Sequence, residues 1–233
     1  MAEYREQTLS GIRSQASVFM REVYTWMAAG LGLTAVAAWQ TSSSPALLQF
    51  FFGSTLMIVV MIALLFGLVI AINSMINRIS SGAATGLFLL YAAVMGIFLG
   101  PTVLAYGHAS VAKAFVVTAG MFGGMSIYGM VTKRDLTGMG SFLSMGLWGI
   151  ILAMIVNMFL ASPAVDFAVS VIGVVVFTGL TAYDTQKIYA MGFSAPYDDS
   201  TAVRRGAILG ALELYLDFVN LFLMLLRLFG DRR

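Results

Sequence analysis

The sequence predicts an all-α, polytopic membrane protein with seven transmembrane helices in one bundle. Three observations carry this. Of 233 residues, 60% are apolar and only 10% charged, with a mean hydropathy of +0.91, far above a soluble domain. Apolar stretches long enough to cross a hydrocarbon core, about 20 residues, recur along the whole chain. The segments between them are short and rich in turn residues, so none is long enough to be a separate domain.

Residues 1–22 mix Glu3, Glu6 and Glu22 with Arg5, Arg13 and Arg21. That stretch is too long and too acidic for a signal-peptide head, so it reads as an amphipathic, cytoplasmic N-terminal arm, and the first apolar segment is retained. The transmembrane domain then occupies 23–233, with spans near 23–40, 54–73, 82–105, 111–131, 141–161, 165–190 and 206–229. TSSSP at 41–45, NSMINRIS at 73–80, TKRDLTGMG at 132–140 and FSAPYDDST at 193–201 punctuate them, and His108 falls in a further short loop. Small residues at helical spacing, Gly120 with Gly124 and Ala28 with Gly32, allow close helix packing.

Basic residues set the expected orientation. With the N-terminus in the cytoplasm, the inner side holds Arg5, Arg13, Arg21, Arg78, Lys133, Arg134, Lys187, Arg204 and Arg205, while the outer loops hold Lys113 alone. Arg227, Arg232 and Arg233 run against the rule if the last segment crosses fully. Length favours a full crossing and charge favours a re-entrant return; the full crossing is the reading taken.

Composition also excludes several functions. Without cysteine there is no disulfide, thiolate ligand or thiol redox pair. Basic residues occur singly or in pairs, which leaves no nucleic-acid footprint. A single histidine, His108, gives hydrolase chemistry little support, and the sixteen methionines are scattered as packing residues. No enzyme activity and no organic cofactor are expected.

The segment ALELYLDFVNLFLMLLRLFG (211–230) nevertheless carries Glu213, Asp217, Asn220 and Arg227. An aspartate at a helix centre costs roughly 2.5–3.5 kcal/mol on insertion scales. Glu213, Asp217, Asn220, Met224 and Arg227 recur at intervals of four and three, forming one helix stripe that must face protein or water. In the preceding segment Thr178, Thr181, Asp184 and Thr185 share a face. An antiparallel hairpin would bring Asp184 and Asp217 to similar depth, where two carboxyls share a proton or hold a cation. A structural hydrogen bond or ion pair is the competing reading.

The stretches TAYDTQKI (181–188), ALELYLDFVNLFLMLLRLFG (211–230), MGIFLGP (95–101) and FVVTAGMFGGMSIYGMVTKRDL (115–136) resemble the bacterial branch of the Bax inhibitor-1, or transmembrane Bax inhibitor motif, family. The resemblance covers nearly the whole chain. It implies a seven-helix fold with the last helix central, a pH-sensitive calcium leak, and Asp184 and Asp217 as the paired aspartates of the sensor. It also implies an arginine near this pair; Arg78 is nearest in position, and Glu213, Asn220 and Thr181 are possible supporting residues. The tail after the last helix is reduced here to DRR.

The expected function is therefore a pH-sensitive leak for calcium, a hard cation suited to carboxylate oxygen, in a bacterial inner membrane. A proton-coupled transporter would use the same pair as a relay. A non-transporting regulator of a membrane protease or other complex would tolerate loss of the acids. The expected partners are the lipid bilayer, calcium and protons.

Overall fold

The computed structural model describes residues 2–76 and 78–231, with side chains from Ser14 onward. Among these residues the chain forms seven α-helices and no strand: α1 (Ala2–Ser43), α2 (Pro45–Phe52), α3 (Thr55–Met75), α4 (Ser81–Val131), α5 (Thr137–Leu160), α6 (Pro163–Phe193) and α7 (Ser200–Phe229). Five of them, α3 to α7, are long and apolar enough to cross a membrane. The protein is an all-α integral membrane protein.

The helix boundaries follow local capping chemistry. Ser44, with Pro45 at the first helical position, caps α2, and the Ser54 hydroxyl accepts from Met57 N–H at the start of α3. Ser80 accepts from Ala83 N–H, and Asp199 accepts from Thr201 and Ala202 N–H at 2.9 and 3.0 Å to open α7. α5 ends on Ala161 in the left-handed conformation, its N–H on the Asn157 carbonyl.

In two places a helix runs on where the sequence segments are divided. α1 runs unbroken through the N-terminal arm and the first apolar segment. The segments at 82–105 and 111–131 belong to one 51-residue helical run, α4, interrupted only at Gly107 (φ 72°, ψ 154°). A straight helix of that length would extend about 75 Å, more than twice a hydrocarbon core, so the break is where two membrane-length pieces meet. A positive φ there is open to glycine at little cost. The expected loop around His108 is thus helical apart from Gly107, and His108 is exposed just after it.

The chain divides into two compact units. The first holds the residues up to Ala105 together with Tyr189–Leu212. Its α1 buries Ala16, Phe19, Met20, Val23 and Met27 along one face. α1 and α4 approach backbone to backbone. A Cβ at Gly96 would meet the Thr34 carbonyl and Ala37, one at Gly100 would meet Thr41, and the Thr34 hydroxyl donates to the Ala92 carbonyl at 2.8 Å.

The second unit holds Tyr106–Ile188 together with the chain from Glu213 onward. Glycines line its helix seams: a Cβ at Gly129 would strike the Ala182 carbonyl, at Gly140 the Tyr183 ring, at Gly179 Leu143, and at Gly173 Met224. Phe218 packs between Phe115 and Phe122, with ring centroids at 5.3 and 5.4 Å. α7 is the most buried of the membrane-length helices: 67% of its apolar window is buried, against 17% for α5. Its sequence contribution to a core, rather than to a lipid face, is what allows it to carry acids. By contrast Phe142, Met145, Trp148, Leu152 and Phe159 of α5 are exposed, an apolar surface that suits lipid.

Candidate functional site

The second unit brings four charged side chains together where α6 faces α7. Lys187 Nζ lies 3.0 Å from both carboxylate oxygens of Glu213 and 3.9 Å from Asp184 Oδ1, one helical turn back. This sets the antiparallel register. One turn deeper, Asp184 and Asp217 come within hydrogen-bonding reach of each other.

Exposure falls along this line. Lys187 is exposed at 42%, Glu213 and Asp184 are partly covered at 25% and 16%, and Asp217 is buried at 6%. Among the described residues Asp217 Oδ2 is buried with no donor group bonded to it, the Asp184 carboxyl being its one polar neighbour. A buried carboxylate oxygen left unsatisfied costs about 1–3 kcal/mol or more, a cost that a proton, a water or a cation at the pair would offset.

The other expected site residues are distributed as follows. The Thr181 hydroxyl is fully buried and donates to the Phe177 carbonyl of its own helix at 2.8 Å. Asn220 Nδ2 donates to Leu216 O at 2.9 Å, likewise within its helix. Arg78 belongs to the first unit and is exposed in the turn after α3, its backbone N–H on Met75 O. Among the described residues the Arg78 guanidinium makes no hydrogen bond or ion pair. Among them, too, no group of three His, Asp or Glu side chains stands ready to hold a metal ion. A cation at the pair would therefore take its first oxygens from two aspartates and the rest from water.

Sequence reasoning overlooked two contributors. It counted Lys187 only as an inner-side charge, although its spacing of three from Asp184 puts both on one face. It also passed over Gln186, whose Oε1 accepts from Leu136 N–H at 2.9 Å and whose Nε2 donates to the Arg134 carbonyl at 2.8 Å. This clasp ties the segment before α5 to α6. Close by, the buried Ser126 and Thr185 hydroxyls are 3.3 Å apart.

Comparison with known proteins agrees with this architecture. A family model described as "Inhibitor of apoptosis-promoting Bax1" matches residues 16–233. The chain is 48% identical to the inner membrane protein YbhL of Escherichia coli over 229 residues, 98% of each chain. It is 47% identical to an uncharacterized protein of Borreliella burgdorferi over 92% of each. It is 43% identical to the uncharacterized protein RP147 of Rickettsia prowazekii, over 92% of this chain and 90% of that one. With a family match over almost its full length and relatives this similar end to end, the chain belongs to the Bax inhibitor-1 family.

Proposed function

We propose that the protein is a passive, pH-sensitive cation leak, with calcium as its principal ion, organised around Asp184 and Asp217. The observation that carries this reading is the buried, unpartnered Oδ2 of Asp217 beside a second carboxyl. Two carboxyls this close in a poorly hydrated place cannot both be charged without a cation between them. Protons and a hard divalent ion then compete for the same oxygens. A site with two protein carboxylates and few fixed ligands releases its ion readily, which a leak requires. Acid therefore antagonises calcium at the pair.

The reading places the protein in a bacterial inner membrane, the location given in the name of its Escherichia coli relative, with its N-terminus in the cytoplasm. The flux of calcium from loaded liposomes tests the function. Purified parent protein should dissipate a calcium gradient without accumulating the ion against one, and Asp217→Asn should change that flux strongly. Equal flux from parent and variant at every pH would refute the role of the pair, and uphill accumulation would make the protein a coupled transporter.

A further inference from the structure

Away from the acid pair, the second unit contains a cavity of about 730 Å³, lined among others by Tyr106, Ile151, Met154, Asn157, Asp166 and Arg227. Its charged residues are not paired with each other. Among the described residues the Arg227 guanidinium has a single polar contact, Nη1 at 3.8 Å from the Met154 sulfur, and no carboxylate within salt-bridge distance. Asp166 accepts from Asn157 Nδ2 at 3.1 Å through Oδ1, and Asn157 also holds both polar groups of the Ser162 backbone. That clasp fixes Asp166 at the first turn of α6, and among the described residues its Oδ2 has no hydrogen-bond partner.

A guanidinium with five donors and a carboxylate on one cavity wall would ordinarily close on each other. Here the two are not within ion-pair distance. A ligand with an anion at one end and a cation at the other satisfies both. The remaining wall is apolar: Ile155 and Met158 of α5 also line the cavity and are exposed at 50% and 80%, facing the side where acyl chains would lie. Depth agrees. Arg227 lies in the last turn of α7 and Asp166 in the first turn of α6, so both stand at the ends of membrane-length helices, where headgroups lie, and not midway along a span. Snorkelling explains the position of an arginine there, but not an unpaired carboxylate held on the same cavity by a dedicated amide.

We propose that this cavity binds the headgroup of a zwitterionic aminophospholipid, its phosphate on Arg227, its ammonium on Asp166, and one acyl chain along Ile155 and Met158. A soluble phosphoethanolamine compound would offer the same charges without the chain.

Native mass spectrometry of the full chain in detergent, titrated with phosphatidylethanolamine, phosphatidylglycerol, phosphatidylcholine and soluble glycerophosphoethanolamine, tests this. Phosphatidylethanolamine should be retained best. Arg227→Gln should weaken all three lipids about tenfold, the loss of one charge-assisted hydrogen-bond set. Asp166→Asn, which keeps an acceptor for Asn157, should bring phosphatidylethanolamine down to the level of phosphatidylglycerol and leave the latter unchanged. Should Arg227→Gln fail to fold, Ile155→Trp keeps both charges and fills the apolar wall, and it should lower lipid retention generally. Equal retention of all headgroups by the parent, or an unchanged profile in the folded variants, would overturn the proposal. Retention of glycerophosphoethanolamine as strong as that of the lipid would overturn the lipid assignment.

Discussion

Lys187 on α6 holds Glu213 on α7 through both carboxylate oxygens at 3.0 Å, and the same ammonium stands 3.9 Å from Asp184. A tethered cation thus already sits beside the acids that the proposed function assigns to a mobile one. Replacing it with methionine keeps an unbranched stem, one atom shorter, and removes the charge. At the 42% exposure of Lys187 the attraction is strongly screened, so the effect is on the order of 1 kcal/mol, about fivefold. Lys187→Met should raise the apparent calcium affinity of the leak by that factor, read as a shift in the half-saturating calcium concentration. Glu213→Gln should shift it the opposite way. Unchanged values in both variants would make the ion pair a purely structural tie.

The two aspartates should act as a unit. If one proton or one cation is shared between Asp184 and Asp217, either Asp184→Asn or Asp217→Asn removes the coupling and most of the pH response. The double variant should then add little further loss. Calcium flux against pH for the parent, both single variants and the double variant decides this. Additive responses would mean two separate sites.

The acidic stripe of α7 was legible because 213, 217, 220, 224 and 227 follow helical periodicity, which depends on local sequence alone. The pairing of Asp184 with Asp217 was legible because a short loop between two spans forces them antiparallel. The role of Lys187 was not, since its partner depends on hairpin register, which residue types on one helix do not reveal. Gln186 was missed for a related reason: it bonds backbone groups of a segment some fifty positions away, where no side-chain pattern marks the acceptor. The break in α4 was placed correctly but drawn too wide, because Tyr106, His108 and Ser110 look like turn chemistry while only Gly107 leaves the helical region.

Close approach of α4 and α6 in the second unit rests on Gly129. A Cβ there would strike the Ala182 carbonyl and stand 3.1 Å from Thr185 Cβ, and backbone cannot yield as a side chain can. Gly129→Ala should therefore destabilise the folded protein by about 1–3 kcal/mol, the usual cost of overpacking. Gly120 and Gly124, expected from their spacing to form a packing seam, face open space instead, so Gly120→Ala should be neutral or slightly stabilising through helix propensity. Thermal unfolding in detergent compares the two. Equal melting temperatures would show that the seam adjusts freely.

A full crossing by α7 is testable from its ends. α7 has 30 residues, about 45 Å of helix, ample for a hydrocarbon core of about 30 Å. At its far end Asp231 N–H donates to Ser110 Oγ at 3.3 Å, and a Cβ at Gly230 would touch the Tyr106 ring. The end of α7 therefore lies beside the Gly107 break, which the distribution of basic residues assigns to the outer side. A reporter fused after Arg233 should be external, and one fused after Arg134 internal. An internal C-terminal reporter would make α7 re-entrant.

Asp135 supplies a pH-dependent cap outside the membrane-spanning helices. Its Oδ1 accepts from the Thr137 hydroxyl at 2.6 Å and from Thr137 N–H at 2.9 Å, and these bonds hold its carboxyl below the usual range, the hydroxyl bond foremost. Because the folded value is the lower one, protons prefer the open form of this segment. The contribution of the cap is complete above the ordinary aspartate value, about pH 3.9, and is lost as pH falls through the depressed value. Hydrogen exchange at Thr137, corrected for the intrinsic rate, should show constant protection from neutrality down to about pH 4 and a decline below it. Asp135→Asn, which keeps an acceptor that does not titrate, should flatten that decline, and Asp135→Ala should lower protection at every pH. A parent and an asparagine variant that lose protection together would place the acid sensitivity elsewhere in the segment.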